Sequence, residues 1–365
     1  MRFAHFSHVW TKPGMTPHER YEQLWREIEL CDELDYDFAF SVEHHFTPKE
    51  SWMSSPNLFS VAAAARTKRI KLGAMGHVVP LHHPVRLLEE VALADQISNG
   101  RIEVGLVPGI QDSYFRNFAA NFQDRRAITE EFARFMHAAY SEGGPDRPFS
   151  WDGECIKATD LELSVWPVQK PGPPMWMQSR DPPTLELCAE LGMHTGYFLL
   201  FPRSEAASRY GPYLENWKRH GQSGTPNIAY STVTFVDETD EIALSKARVD
   251  AGNAYKGFFS SSDDWDEIRA KQKETAAYFE MRGDHGAGQI ILNLLDPDYL
   301  LEKDLVLIGS PETVTNKLRR WSQDGLFNTF FGEFNFGSIP EEALMRSIRL
   351  FGEHVIPNLR DHEPF

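Results

Sequence analysis

Short apolar runs alternate along the chain with longer stretches in which apolar residues return every three or four positions, the signature of strands followed by amphipathic helices. Arg2 to Ser7 reads as a first strand. A helix follows from about Thr16 to Leu34, with Thr16 as N-cap and Glu19 three residues on, the spacing of a capping box. The unit repeats as strand Asp37 to Val42, helix Asn57 to Arg66, strand Ile70 to Met75, a helix opened by Pro84 and running to Ile97, and strand Ile102 to Leu106. The second half gives strand Met175 to Ser179, helix Pro182 to Leu191, strand His194 to Leu199, helix Ser204 to His220 and strand Ile228 to Val236. It closes with strand Phe327 to Phe334 and helix Glu341 to Val355.

Strand-helix alternation without hairpins predicts a parallel sheet, and eight such units predict one closed α/β (β/α)8 TIM barrel. The whole chain, 1–365, then forms a single domain. Two stretches break the alternation: 141–174, rich in Gly and Pro, and 255–304, charged and irregular. Loops this long in a compact domain are usually functional, so both are expected as insertions at the C-terminal face of the strands, where barrel active sites lie. The segment Phe258 to Asp304 is expected as a lid over that face.

Composition narrows the partners. Lys and Arg total 37 against 53 Asp and Glu, a net charge of −16, which disfavours nucleic acid and anionic membrane surfaces. Cys31, Cys155 and Cys188 are odd in number and widely spaced, which argues against a disulfide framework or a zinc knuckle. No run of about 18 apolar residues occurs. The expectation is a cytoplasmic protein acting on a small molecule.

Candidate chemistry sits just after the strands. The second is followed by Glu43-His44-His45-Phe46, and because consecutive side chains point opposite ways, at most one of the two histidines faces the barrel mouth. Gly73-Ala74-Met75-Gly76-His77 follows the third strand and lets a planar cofactor approach the backbone, although turn geometry alone would also explain its glycines. His82 and His83 come soon after. No Asp or Glu pair stands at ligand spacing with these histidines, so no metal site is expected.

The run His83-Pro84-Val85-Arg86, then Glu89 to Gln96 and Ser98-Asn99-Gly100-Arg101, resembles the signature stretch of the bacterial luciferase α subunit and its flavin-dependent relatives. Glu43 to Thr47 matches in the same register. So do Gly309-Ser310-Pro311-Glu312, Gly332 to Phe336, Ser347 to Phe351 and Val355-Ile356-Pro357. The resemblance implies a two-component monooxygenase, in which a separate flavin reductase supplies reduced FMN and O2 adds to it to give a flavin hydroperoxide. It implies His44 as the catalytic histidine, and Ala74 and Met75 as the backbone, sometimes with a cis peptide, that packs on the isoalloxazine ring. It also implies a homodimer. The phosphate end departs from luciferase, because the arginine expected after the fourth strand is Pro108 here. Ser179-Arg180-Asp181-Pro182-Pro183-Thr184 carries a compensating cation, so Ser179, Arg180 and Thr184 at a helix start form the expected anion site, unless Arg180 is a solvated surface cation. Phe6, Trp10, Phe46, Phe198, Phe201, Phe334 and Phe336 lie near strand ends and suit a hydrophobic substrate. Three alternatives stand beside this reading: a deazaflavin-dependent hydride-transfer enzyme, a non-catalytic flavin-binding subunit and a metal-dependent barrel hydrolase.

Overall fold

The computed structural model describes residues 1–12, 14–259, 264–281 and 284–365. Residues 13, 260–263, 282 and 283, on which parts of the sequence reading fell, lie outside the described residues. In chain order the elements begin with β1 (Arg2–Phe6), α1 (Pro17–Glu33), β2 (Phe38–Ser41), α2 (Pro56–Arg66), β3 (Lys71–Val78), α3 (Pro84–Ser98) and β4 (Ile102–Val107). Next come α4 (Asp112–Asn117), α5 (Arg125–Glu142), β5 (Phe149–Asp152), β6 (Lys157–Leu161), β7 (Met175–Gln178), α6 (Pro182–Glu190), β8 (His194–Phe198) and α7 (Ala206–Arg219). The chain continues with β9 (Ile228–Val236), α8 (Asp240–Asn253), α9 (Trp265–Met281), α10 (His285–Asn293), α11 (Pro297–Glu302) and β10 (Leu307–Gly309). It ends with α12 (Pro311–Asp324), β11 (Thr329–Glu333), α13 (Glu341–Leu350), a π turn over Phe351–Val355 and α14 (Ile356–Leu359).

Eight parallel strands close in the order β1, β2, β3, β4, β7, β8, β9, β11, which returns to β1. This is the expected barrel. The strands are buried on both faces, as in every α/β barrel, which is why β9 reads as the unbroken run Ile-Ala-Tyr-Ser-Thr-Val-Thr-Phe-Val. Inside, Phe40, Trp176 and Phe331 meet with ring centroids 5.2–5.8 Å apart. Outside, α1 is started by the capping box of Thr16 and Glu19 and held to the wall by the buried network Arg20, Glu27 and His5. β10 adds to the far end of β9 and leads into α12.

Both irregular stretches differ from expectation. Residues 141–174 contain an antiparallel hairpin, β5 with β6, so the chain is not free of strand-strand pairs. They connect a helix to the next strand and therefore return to the N-terminal face: Gln169 donates to Ile102 O at the base of β4 and to Asp95, and Gln96 near the end of α3 donates to Trp166 O. This insertion is not at the active-site face. The described residues of 255–304 are largely helical rather than irregular, built of α9, α10 and α11. They lie on the C-terminal face as expected, with Gly257 against Glu50 and Gly286 against Pro202.

Candidate active site

The residues after the strands converge on the barrel mouth. β2 ends one residue before Val42, and the next three side chains diverge. Glu43 turns toward β3, where it accepts from Val78 N at 2.8 Å, and it meets His45 Nε2 at 2.8 Å and His82 Nε2 at 2.9 Å. Burial raises the Glu43 carboxyl, but the hydrogen bonds from His45 and His82 and the charge of His82 outweigh it and hold the group at about 2. Burial also disfavours the charged form of His82, yet Glu43 raises that imidazole above its ordinary value. His77 is pulled down to about 4 by burial and by His82, against the pull of Glu43. The cluster is therefore a carboxylate tied to an imidazole whose charged form it favours, beside one whose charged form is disfavoured, and it clamps the ends of β2 and β3 together.

His44 and His45 point apart. His45 packs on Tyr114 and Phe118, away from the barrel axis. His44 turns toward the loop after β1: its ring lies 5.6 Å from that of His8, and its Nδ1 is 3.3 Å from Glu50 Oε1. Both atoms are buried and face each other, and neither has another hydrogen-bond partner. His8 in turn is held by Glu333 at the end of β11, whose Oε1 accepts from His8 N at 3.1 Å and sits 2.8 Å from Nδ1, while Trp10 stacks on the imidazole at 4.3 Å. The intervening Val9 has φ +53°, a left-handed conformation that a β-branched residue adopts only when its surroundings impose it.

His8, Glu333, Glu50 and Gln178, the last residue of β7, belong to this mouth and were missed by the sequence reading. Gln178 presents a buried Nε2 without a partner. For His8, Glu333 and Gln178 the signal that could have found them is position alone, a polar residue at or just beyond the end of an apolar strand; Glu50 lies well inside the loop after β2 and carries no such signal.

Gly73 to His77 do not form a loop. They continue β3, with a register shift against β4 between Ala74 and His77. A cis peptide is present, but it joins Met75 to Gly76, one residue beyond the expected Ala74–Met75 bond. Strands β3 and β4 are pressed together here: a Cβ on Gly76 would come within 2.4 Å of the Gly105 backbone, and one on Gly105 within 2.0 Å of Ala74 O. Ala74 and Met75 are both buried in this stretch.

Ser179, Arg180 and Thr184 are brought to the start of α6, but not as an open anion cradle. Pro182 and Pro183 occupy its first positions and offer no N–H, and the N-cap is the acidic Asp181, whose carboxylate accepts from Thr184 Oγ1 at 3.1 Å. Arg180 is neither a solvated cation nor an unclaimed one. It is ion-paired with Asp284 and flanked by Phe201 and Phe279 at 5.5 and 5.4 Å. Of the aromatic residues expected at the mouth, Phe6, Trp10, Phe201, Phe334 and Phe336 are buried, whereas Phe46 and Phe198 are exposed.

A flavin ring fits this mouth. The ring is planar and carries polar edge atoms, and the site offers the close-packed backbone of Ala74–Gly76 together with the buried, unpartnered Nε2 of Gln178. The phosphate end fits only through Arg180. Among the described residues no group of three or more His, Cys, Asp or Glu could hold a metal ion, and no helix is long and apolar enough to cross a membrane.

The family model described as luciferase-like monooxygenase matches residues 1–328. The alkanal monooxygenase alpha chain of Photobacterium leiognathi is 28% identical over 368 residues, 99% of either chain. Among solved structures, the oxygenating constituent of 3,6-diketocamphane monooxygenase from Pseudomonas putida, in complex with FMN, superposes with a TM-score of 0.76 at 20% identity, covering 98% of both chains. The coenzyme F420-dependent tetrahydromethanopterin reductase of Methanopyrus kandleri gives a TM-score of 0.67 at 19% identity, covering 97% of this chain and 98% of that one.

Proposed function

This chain belongs to the luciferase-like monooxygenase family, and we propose that it uses reduced FMN and O2 to oxygenate a small hydrophobic organic molecule at the C-terminal mouth of its barrel. The observation that carries this reading is His44: it stands after β2 at the mouth, with its Nδ1 3.3 Å from the buried Glu50 Oε1 and its ring 5.6 Å from that of His8. An imidazole so placed can pass a proton between a donor and an acceptor. Reduced flavin, when bound, would supply the electrons that activate dioxygen. The protein's own part is to seat the ring against Ala74 and Met75, satisfy its polar edge and move a proton at His44. The packed helices of residues 255–304 lie on this face and support water exclusion.

The reading includes a separate reductase as supplier of reduced FMN, a hydroperoxide of the flavin as the oxygen carrier, and a homodimer. Leu58 on α2 and Leu93 and Ile97 on α3, exposed on two helices that pack together, support the last. The exposed Phe46 and Phe198 support an apolar substrate.

The experiment is to supply reduced FMN and ¹⁸O2 with a panel of aliphatic aldehydes and cyclic ketones, and to follow the label by mass spectrometry. One labelled oxygen in the product is expected. A second reading, hydride exchange with a deazaflavin, is supported by the fold likeness to the F420-dependent reductase. It predicts turnover with reduced or oxidised deazaflavin and no label.

A further inference from the structure

We propose that Asp284 is a specificity-determining residue of the flavin site: its carboxylate occupies the place on Arg180 that a flavin 5′-phosphate would take. The proposal rests on the flavin reading above and concerns how strongly this chain rewards a phosphate.

Three observations carry it. Arg180 follows β7 at the mouth, and its guanidinium is pinned between the rings of Phe201 and Phe279, so its direction is fixed. Its ion-pair partner Asp284 comes from the joint between α9 and α10, a different part of the chain from the strand end that carries Arg180. The start of α6 supplies little else for an anion, because Pro182 and Pro183 lack N–H groups and Asp181 adds a negative charge.

A guanidinium presents a planar fork that takes a carboxylate or a phosphate in the same geometry. A phosphate reaching Arg180 must therefore displace Asp284 or sit beside a like charge, and either lowers what the ester gains. A flavin without phosphate meets no such opposition. The consequence is a chain that discriminates weakly between FMN and riboflavin for as long as Asp284 is present, and strongly once it is gone.

The test is to titrate the full-length protein anaerobically with reduced FMN and reduced riboflavin and to compare the ratio of their dissociation constants across variants. Asp284→Asn keeps the side-chain shape without the charge and should raise the preference for FMN by about tenfold, leaving riboflavin affinity within about twofold. Asp284→Ser should do the same, which guards against a local effect of the amide. Arg180→Ala should remove the gained preference in the Asp284→Asn background. If Asp284→Asn and Asp284→Ser leave the ratio unchanged while Arg180→Ala alone lowers FMN affinity, Arg180 does hold the phosphate but Asp284 does not compete, and the proposal is overturned. If Arg180→Ala leaves the ratio unchanged in both backgrounds, Arg180 never meets the phosphate and the proposal falls together with that part of the flavin reading. Riboflavin binding in every variant keeps the ring site itself separately tested.

Discussion

The chain leaves its barrel twice at length, and the two excursions end on opposite faces. Residues 141–174 run from α5 into β7 and pack beneath the barrel, stitched by Gln169 to Asp95 and Ile102. The described residues of 255–304, between α8 and β10, lie at the mouth and are tied to it by the ion pair of Asp284 with Arg180. Both look alike as breaks in the alternation. Their difference lies in which end of a barrel strand they adjoin: the first leads into β7 and so returns to the base, whereas the second belongs to the connection that leaves β9 and reaches α12 through β10 at the far end of β9, on the catalytic face. The first excursion is read as structural, the second as part of the site.

The strongest way to break this contrast is at the mouth itself. His44→Ala should slow substrate oxygenation by roughly 10²-fold or more, the usual size of an acid-base contribution, with reduced FMN binding nearly intact. Parallel turnover and binding titrations check it. Unchanged turnover in the folded variant would remove His44 from the chemistry, and the same loss in His45→Ala alone would move the role to a side chain that points away from the mouth.

A smaller effect separates the charges of the mouth by pH. Burial and His82 depress His77 from its ordinary 6.5 to about 4, so as pH falls through this window the unfolded chain binds a proton that the folded chain refuses. Stability should drop there, by up to about 1.4 kcal/mol per pH unit from this group. Glu43 acts lower down: its folded value of about 2 lies below the ordinary 4.5, so its contribution is complete above 4.5 and is lost as pH falls toward 2. Urea unfolding between pH 7 and 4 should show the first slope and His77→Asn should flatten it. An identical slope in the variant would mean that His77 is not held neutral.

The base should respond differently. Glu131 on α5 accepts from Cys155 N, Ile156 N and Trp151 Nε1 and so fixes the hairpin. Glu131→Ala should cost roughly 1 kcal/mol of stability, the net worth of a typical hydrogen bond at such partly exposed positions, while flavin affinity stays unchanged. A loss of flavin affinity in a folded Glu131→Ala protein would join the lower excursion to the site.

Much of the fold was legible because each barrel strand is a short apolar run bounded by an amphipathic helix, and that local alternation survives folding. The hairpin was not legible, since Phe149 to Asp152 and Lys157 to Leu161 are short, partly exposed and set among Gly and Pro. His44 could be located because it follows a strand directly and Glu43 and His45 frame it. His8 and Glu333 lie 325 residues apart, and only closure of β11 against β1 brings them together. The same holds for Arg180, whose sequence context proposes an anion but cannot show that the anion is Asp284.

Backbone hydrogen exchange with and without reduced FMN tests the division of the barrel most directly. Protection is expected in 43–47, 73–78 and 178–184 around the mouth, with no change in the hairpin of 149–161. Protection confined to the hairpin, or none at the mouth under saturating FMN, would contradict the account.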